Sequence, residues 1–532
     1  MKIKWLLPVY LLLTTALSAQ VKKTVLITSA GAKADGRTNN AVVIQKLIDQ
    51  VSAAGGGKVI VPPGNFMTGS LFMKSNVELH IQLGAVLLGS HNVNDYKKVA
   101  GKASLILAEN QNNISVTGEG IIDGQGQELM LDVFQKLRSG ELKSADSIWL
   151  VKRPGVGRAH DIYFRGCKGV KVTDITLKNS SDWVQDYREC TDVIIDKMTV
   201  QSTAYWNNDG LDITDCKNVR ITNCFINASD DALCFKSENP KSSCENVVVD
   251  NCTLRSSANG LKFGTANAGG FRNFKITNLT IFDTYRSAIA LESVDGGFMD
   301  NIDIRNVNAK NTGNAIFIRR GHRNKTGPVS TLKGIYIANV KVETPLLKPD
   351  QGYPIEGPPD HLRPGFDKMP VRPSHYHIYG HPFLPYNLIP SSIVGIPGYP
   401  VEDVTLENIE ISYGGRASKD IAYIPLNKIT SIDENVEGYP DFSMWGELPA
   451  WGLYMRHAEG IKIKNFKVSY KEDDFRPAFV FDDVKGIDLT DVQIPTARDM
   501  PMIHLNNSNS VNFKNLKIPV TEEKAILKTN YK

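Results

Sequence analysis

The chain has 532 residues, and its 61 basic and 57 acidic side chains leave a formal net charge of +4. That near balance excludes the basic stripe of a nucleic-acid-binding protein. Its seven cysteines include no CxxC pair, which speaks against a zinc module.

The first predicted element is a leader. "MKIK" is a basic start, "WLLPVYLLLTTAL" an apolar core, and "SAQ" a small-residue cleavage site near Ala19. Residues 1–19 therefore read as a signal peptide, and the protein is expected to be exported, to the periplasm or beyond the cell. The apolar run is too short for a confident membrane span. No cysteine comes directly after the cleavage site, so no membrane anchor is expected. The remainder, 20–532, reads as one domain, expected to be a monomer. Next comes a helix candidate in "GRTNNAVVIQKLIDQVSAAGGG", with polar starts at Thr38 to Asn40. Val43, Leu47 and Val51 form its apolar stripe, which predicts a plug over the open N-terminal end of a strand stack.

The main body of the chain is a repeat. "GVKVTDITLKNS" from Gly169 recurs as "DVIIDKMTVQST" from Asp192 and "NVRITNCFINAS" from Asn218. It continues at Asn246, Asn273 and Asn301 and resumes at Gly334, Asp403, Gly460, Gly486 and Ser510. Each unit holds two short alternating strands joined by a bend. The bend residue is Asn223, Asn251, Asn278, Asn306, Asn339, Asn408, Asn465 or Asn515. Asparagine tolerates the left-handed backbone such a corner needs, and its amide can bond the amide one coil away. An apolar ladder runs behind it through Cys224, Cys252, Leu279, Val307, Val340, Ile409, Phe466, Val492 and Leu516. Cys167, Cys190, Cys216 and Cys244 stand one per repeat, so they read as stacked free thiols. Strand repeats with two such ladders predict an all-β fold, a right-handed parallel β-helix with an N-terminal capping helix. From Thr344 to Val401 the period breaks into an insertion rich in Pro, Gly, His and Tyr.

Stacking the strands after each bend aligns "DGLDIT" (Asp209), "DALCFK" (Asp231), "NGLKFG" (Asn259), "SAIALE" (Ser287) and "NAIFIR" (Asn314). Alternation sends Leu211, Leu233, Leu261 and Ile289 inward. Asp212, Cys234, Lys262, Ala290 and Phe317 form one outward row, and Thr214, Lys236, Gly264, Glu292 and Arg319 a second. Asp209, Asp230 and Asp231 stand at the strand mouths. Coils about 4.8 Å apart bring these carboxylates onto one outer patch. Like charges that close raise at least one pKa, as a general acid at neutral pH requires. The plain alternative is a solvated acidic strip or a cation site.

These residues resemble glycoside hydrolase family 28, the polygalacturonase family. The resemblance rests on the stretch from "GAKADGRTNN" to "LGAVLLGS", on "GIPGYPVEDVTLENIEI", on "NNDG" (Asn207 to Gly210) and on "DDALCFKS" from Asp230. It implies metal-free, cofactor-free inverting hydrolysis of a pectic polysaccharide or oligosaccharide. Asp230 would be the general acid, and Asp209 and Asp231 would activate water. The short coil spacing, taken alone, is the retaining distance. Two motifs depart from the family. Its histidine position is Asn259, and its Arg-Ile-Lys falls on Ala290-Leu291-Glu292. Those family cations hold the substrate carboxylate, so the departures point to a neutral or differently oriented sugar at the cleaved bond.

Asn207, Asp212, Lys236, Asn259, Lys262 and Glu292 are expected to line the substrate. Arg319 and His322, in "FIRRGHR", are expected at a distal acid group. Trp206 is a candidate sugar platform, as are Tyr205, Trp445 and Trp451, each with buried packing as the plain alternative. His375, His377 and His381 form H-x-H-x3-H in the insertion, where His377 is assigned to substrate rather than metal. A calcium-dependent lyase with Lys236 or Lys262 as base, and a non-catalytic carbohydrate-binding β-helix, are the competing readings. The insertion favours exo action.

Overall fold

The computed structural model describes residues 23–143, 156–203, 205, 207–347, 349, 387–417, 424–495 and 501–531. The leader, Trp206, the His375–His381 motif and most of the insertion lie outside these residues.

The strands stack coil on coil as a right-handed parallel β-helix. Every named ladder but Lys97–Val99 against Lys102–Glu109 is parallel among the described residues. The registers are the predicted ones along the inward row, but a bulge breaks the second outward row, where Ser237 pairs with Asn267 instead of Thr265. Inward, Ile213, Phe235, Phe263, Leu291, Ile318 and Ile393 succeed one another. The Phe235 and Phe263 ring centroids are 5.0 Å apart. Each such side chain contributes about 1.5–3 kcal/mol by leaving water. The ladder from Cys252 through Leu279, Val307, Val340, Ile409 and Phe466 to Val492 is likewise in register. All seven cysteines are buried and free, and the backbone N–H groups of Cys190 and Cys216 lie against the sulfurs of Cys216 and Cys244 one coil on.

Each bend asparagine named from the sequence has a positive φ, between 49° and 58°. The amides bond along the stack from Asn251 to Asn223, and from Asn306 through Asn339 and Asn408 to Asn465. Asn278 donates instead to Asp250, which also accepts from Thr277. A second ladder joins the unit starts Asn218, Asn246, Asn273 and Asn301. It has the same left-handed backbone and carries the second corner of each coil.

The capping helix α1 spans Ala41–Ala53. Its buried face is Ile44, Leu47, Ile48 and Val51, rotated from the expected stripe, with Val43 only partly buried. A second helix, α2, spans Gly126–Ser139 and was not signalled by the repeats. Within the expected insertion, Ser391–Val394 is a coil strand, paired to Phe317–Arg319 and to Leu453–Arg456. A second interruption, between the strands Val401–Gly415 and Leu453–Glu472, went unrecognised because the coil pattern resumes in register beyond it. Its described part, 424–452, is mostly irregular, with one 3₁₀ segment at Leu426–Ser431. It forms a wall. Phe442, Trp445 and Leu448 pack with Ala290, Phe317 and Tyr454 in an apolar cluster outside the coil.

Candidate active site

The strand mouths of successive coils carry Trp183, Asp209, Asp231, Asn259 and Ser287 one above another, as the registers of their strands require. Asp230 precedes Asp231. Gly210 is needed beside Asp209, because a Cβ there would lie 2.3 Å from Ile226 and 2.7 Å from the Ala232 carbonyl. Asn207 turns the chain into this strand with φ +56°.

Asp209, Asp230 and Asp231 each offer an oxygen, all within 4.8 Å of one another. The sequence placed them on an outer face, and the structure does so. They are nonetheless closed over, at 3%, 8% and 3% exposure. The solvated acidic strip is therefore excluded. The Asn207 amide donates to Asp209 at 3.1 Å and to Asp230 at 3.4 Å, and the Asp231 N–H donates to Asp230 at 3.0 Å. Asn259 donates its amide to Asp231 at 2.8 Å and its backbone N–H at 3.1 Å. Asn259 thus favours an ionised Asp231.

Two buried lysines knit the carboxylates together. Lys236 sits between Asp209, at 3.0 Å, and Asp212, with Cys234 Sγ at 3.1 Å. Lys262 sits between Asp231, at 3.0 Å, and Glu292, at 3.8 Å. Burial works against the charge of both lysines, but the carboxylates outweigh it and raise both pKa values. Burial likewise pushes Asp209 well above its usual value, against the pull of Lys236, with its carboxylate neighbours adding to the rise. It pushes Asp212 up to about 7. One ammonium serves two carboxyls here, which offsets only part of the cost of burying both charges. Asp231 goes the other way: burial would raise it, but Lys262, Lys236, Arg286 and Asn259 together bring it down to about 2. Such a cluster titrates as a unit.

Glu292 rises to about 7, by burial first, against the pull of Lys262. A carboxyl raised in the folded state adds stability below its unfolded value, here 4.5, and loses it as pH climbs through the folded value. We expect Glu292→Gln to flatten the fall of Tm between pH 4.5 and 7. Parallel Tm-against-pH curves for wild type and variant would refute the assignment.

Sequence reading missed Arg286. It lies two coils beyond Asp230 in the same column, and its charge helps hold the Asp231 carboxyl low. Its Nε is 3.0 Å from Asp441 of the wall. Tyr439 of the wall reaches Lys262 at 3.3 Å. The only signal was an arginine just before a strand mouth. Arg319 is a correction. It is 1% exposed and donates to the carbonyls of Gly395, Glu434 and Asn435, so it anchors the wall instead of facing substrate. His322 is half-buried, with its Nε2 3.0 Å from the Gly327 carbonyl of its own loop and its backbone N–H on the Val436 carbonyl. Trp445 and Trp451 are buried in packing, and Tyr205 is 1% exposed. Trp206 and His377 lie outside the described residues.

The sequence profile of the glycosyl hydrolases family 28 matches residues 52–345, more than half of the chain. The chain belongs to this family. An exo-poly-α-D-galacturonosidase of Dickeya chrysanthemi is 29% identical over 261 residues, 42% of this chain and 43% of that relative. An exopolygalacturonase of Zea mays is 24% identical over 74% of this chain and 85% of its own length. The Dickeya match thus spans less than half of that relative. Among solved structures, a hyperthermoactive exopolygalacturonase from Thermotoga maritima covers 74% of this chain and 87% of its own, with 21% identity and a TM-score of 0.55. The family 28 exopolygalacturonase of Yersinia enterocolitica covers 96% and 78%, with 17% identity and a TM-score of 0.53. At these identities the two structures bear on the fold. The three positions expected from the sequence to depart from the family have partners within the protein: Asn259 bonds Asp231, Ala290 belongs to the seat of the wall, and Glu292 pairs with Lys262.

Proposed function

We propose that the protein is an exported hydrolase of pectic polysaccharide or oligosaccharide, inverting and exo-acting. The carrying observation is the trio Asp209, Asp230 and Asp231, joined within 4.8 Å across adjacent coils in a buried site. Bond cleavage requires the cluster's proton on Asp230, poised to protonate the leaving oxygen. That leaves Asp209 and Asp231 ionised to take the proton of the attacking water. The carboxylate spacing matches the retaining distance of about 5–5.5 Å. Retention, however, needs a nucleophile free to attack, and Asp209 and Asp231 are each held by a lysine at 3.0 Å. This supports water as the nucleophile.

The lyase reading is weaker. Its base would be Lys236 or Lys262, and both are held protonated by two carboxylates. No metal is invoked: the Lys236 ammonium already sits in one of the two groups spaced to hold a cation, Asp209, Asp212 and Cys234, and it bonds Asp209 of the other, Asp209, Asp230 and Asp231. The wall supports exo action. It is seated on Ala290 and Phe317 and tied by Arg286 to Asp441, just beyond the carboxylates along the coil axis. Export is supported by the leader-like residues 1–19. No helix of the described residues is long and apolar enough to cross a membrane.

The test is to profile the products released from a panel of pectic oligosaccharides, with and without chelator. We expect one small product from a chain end and an unchanged rate in chelator. A ladder of internal fragments would refute exo action. Activity lost in chelator and restored by Ca²⁺ would promote the lyase.

A further inference from the structure

The cations beside the carboxylates are all engaged within the protein. Lys236 and Lys262 each lie between two carboxyls, Arg286 faces Asp441, and Arg158 faces Asp182 at 2.7 Å. An acidic substrate group finds no unpaired partner there among the described residues. The coils on the other side of Asp209, away from the wall, differ. They and the far ends of the Asp209 and Asp231 coils line an open cleft of about 390 Å³, with Lys102, Tyr163 and Arg188 on the earlier coils and Asp215 and Glu238 on the later ones. Tyr163, Asp186 and Asp212 are successive members of one outward column, so the Tyr163 side of the cleft lies about 10 Å along the stack from Asp212. That size suits a small ligand or one sugar unit.

Three cations, Lys102, Arg165 and Arg188, and three carboxylates, Glu189, Asp215 and Glu238, line this cleft, and all but Lys102 have polar partners at contact distance. Arg165 faces Glu189 at 3.0 Å, and Arg188 bridges Asp186 and Glu238. Asp215 accepts from the Ser237 hydroxyl and from the N–H groups of Glu238 and Asn239. Lys102 has no carboxylate within 4.0 Å among the described residues. Its ammonium rests 5.2 Å over the Trp183 ring, and Trp183 holds the position of Asp209 one coil earlier. The ring fixes a cation at the inner end of the cleft without neutralising it.

We propose that this cleft is a subsite for an acidic sugar of the substrate, whose carboxylate meets Lys102 while the bond cleaved lies over Asp230. The proposal rests on the reading of the protein as a pectic hydrolase. It assigns the uronate to a flanking position, because the site of cleavage lacks an available cation.

The experiment compares wild type, Lys102→Met and Lys102→Arg on galacturonate-containing pectic oligosaccharides and on the same oligosaccharides after chemical reduction of their carboxyls. A charge-assisted hydrogen bond is worth enough to shift binding about tenfold. We expect Lys102→Met to raise KM about tenfold on the acidic substrates relative to the reduced ones, and Lys102→Arg to restore most of that preference. An unchanged ratio, or equal losses on both substrates, would overturn the proposal. Calorimetric titration of the same proteins with trigalacturonate separates the two readings. If wild type cleaves none of these glycans, the hydrolase reading fails, and a Kd unaffected by Lys102→Met then overturns the subsite as well. A weakened Kd supports the subsite independently of turnover.

Discussion

Asp230→Asn is expected to lower kcat by at least about two orders of magnitude, with the far-ultraviolet circular dichroism of a β-helix retained. An amide cannot deliver a proton, and general acid catalysis contributes roughly 10²–10⁴-fold. Asparagine is close to aspartate in shape and keeps one acceptor oxygen for the Asp231 N–H, losing only the 3.4 Å bond from the Asn207 amide, so folding is not at stake. Asp230 is also the most accessible of the three carboxyls, at 8% against 3% for Asp209 and Asp231. A variant with near wild-type turnover would remove it from the acid role, and Asp209, whose carboxyl burial pushes well above its usual value, would take its place.

Substrate preference is the second large effect. A galacturonate placed with its carboxylate against the family's cationic pair would here meet Ala290, buried under the wall, and Glu292. Like charges at contact cost on the order of 1–4 kcal/mol between the water and near-surface dielectric limits. Lys262 offsets part of this, but Asp231 holds it at 3.0 Å. We expect rhamnogalacturonan-derived oligosaccharides to be cleaved at least about tenfold faster than unsubstituted oligogalacturonides at about pH 8, above the value of about 7 at which Glu292 ionises. Faster cleavage of the plain oligogalacturonides would show that Lys262 and Arg286 still receive a uronate at the cleaved bond.

The coil was legible because its signals are local and periodic. Asn306 needs a left-handed corner, and Val307 needs a neighbour of like kind one repeat away; both facts sit in a short window. The same alignment put Asp209 over Asp231 and Lys262 over Cys234 in the observed register. What the repeats could not show was closure. Asp441 reaches Arg286, and the Glu434 carbonyl reaches Arg319, from a non-repeating segment more than a hundred residues downstream. Periodicity carries no information about such contacts, so Arg319 read as a free cation and the carboxylates as an open patch. The helix α1 was placed correctly but turned. Val43 and Ile44 are adjacent and both apolar, and only packing against the first coil decides which is buried.

The most direct measurement is mass spectrometry of oligosaccharides digested in water enriched in heavy oxygen. The account predicts saturated products carrying one heavy oxygen at each newly formed reducing end, released by wild type and at least about a hundredfold more slowly by Asp230→Asn. Unsaturated, unlabelled products, or equal label incorporation by the Asp230→Asn variant, would contradict it.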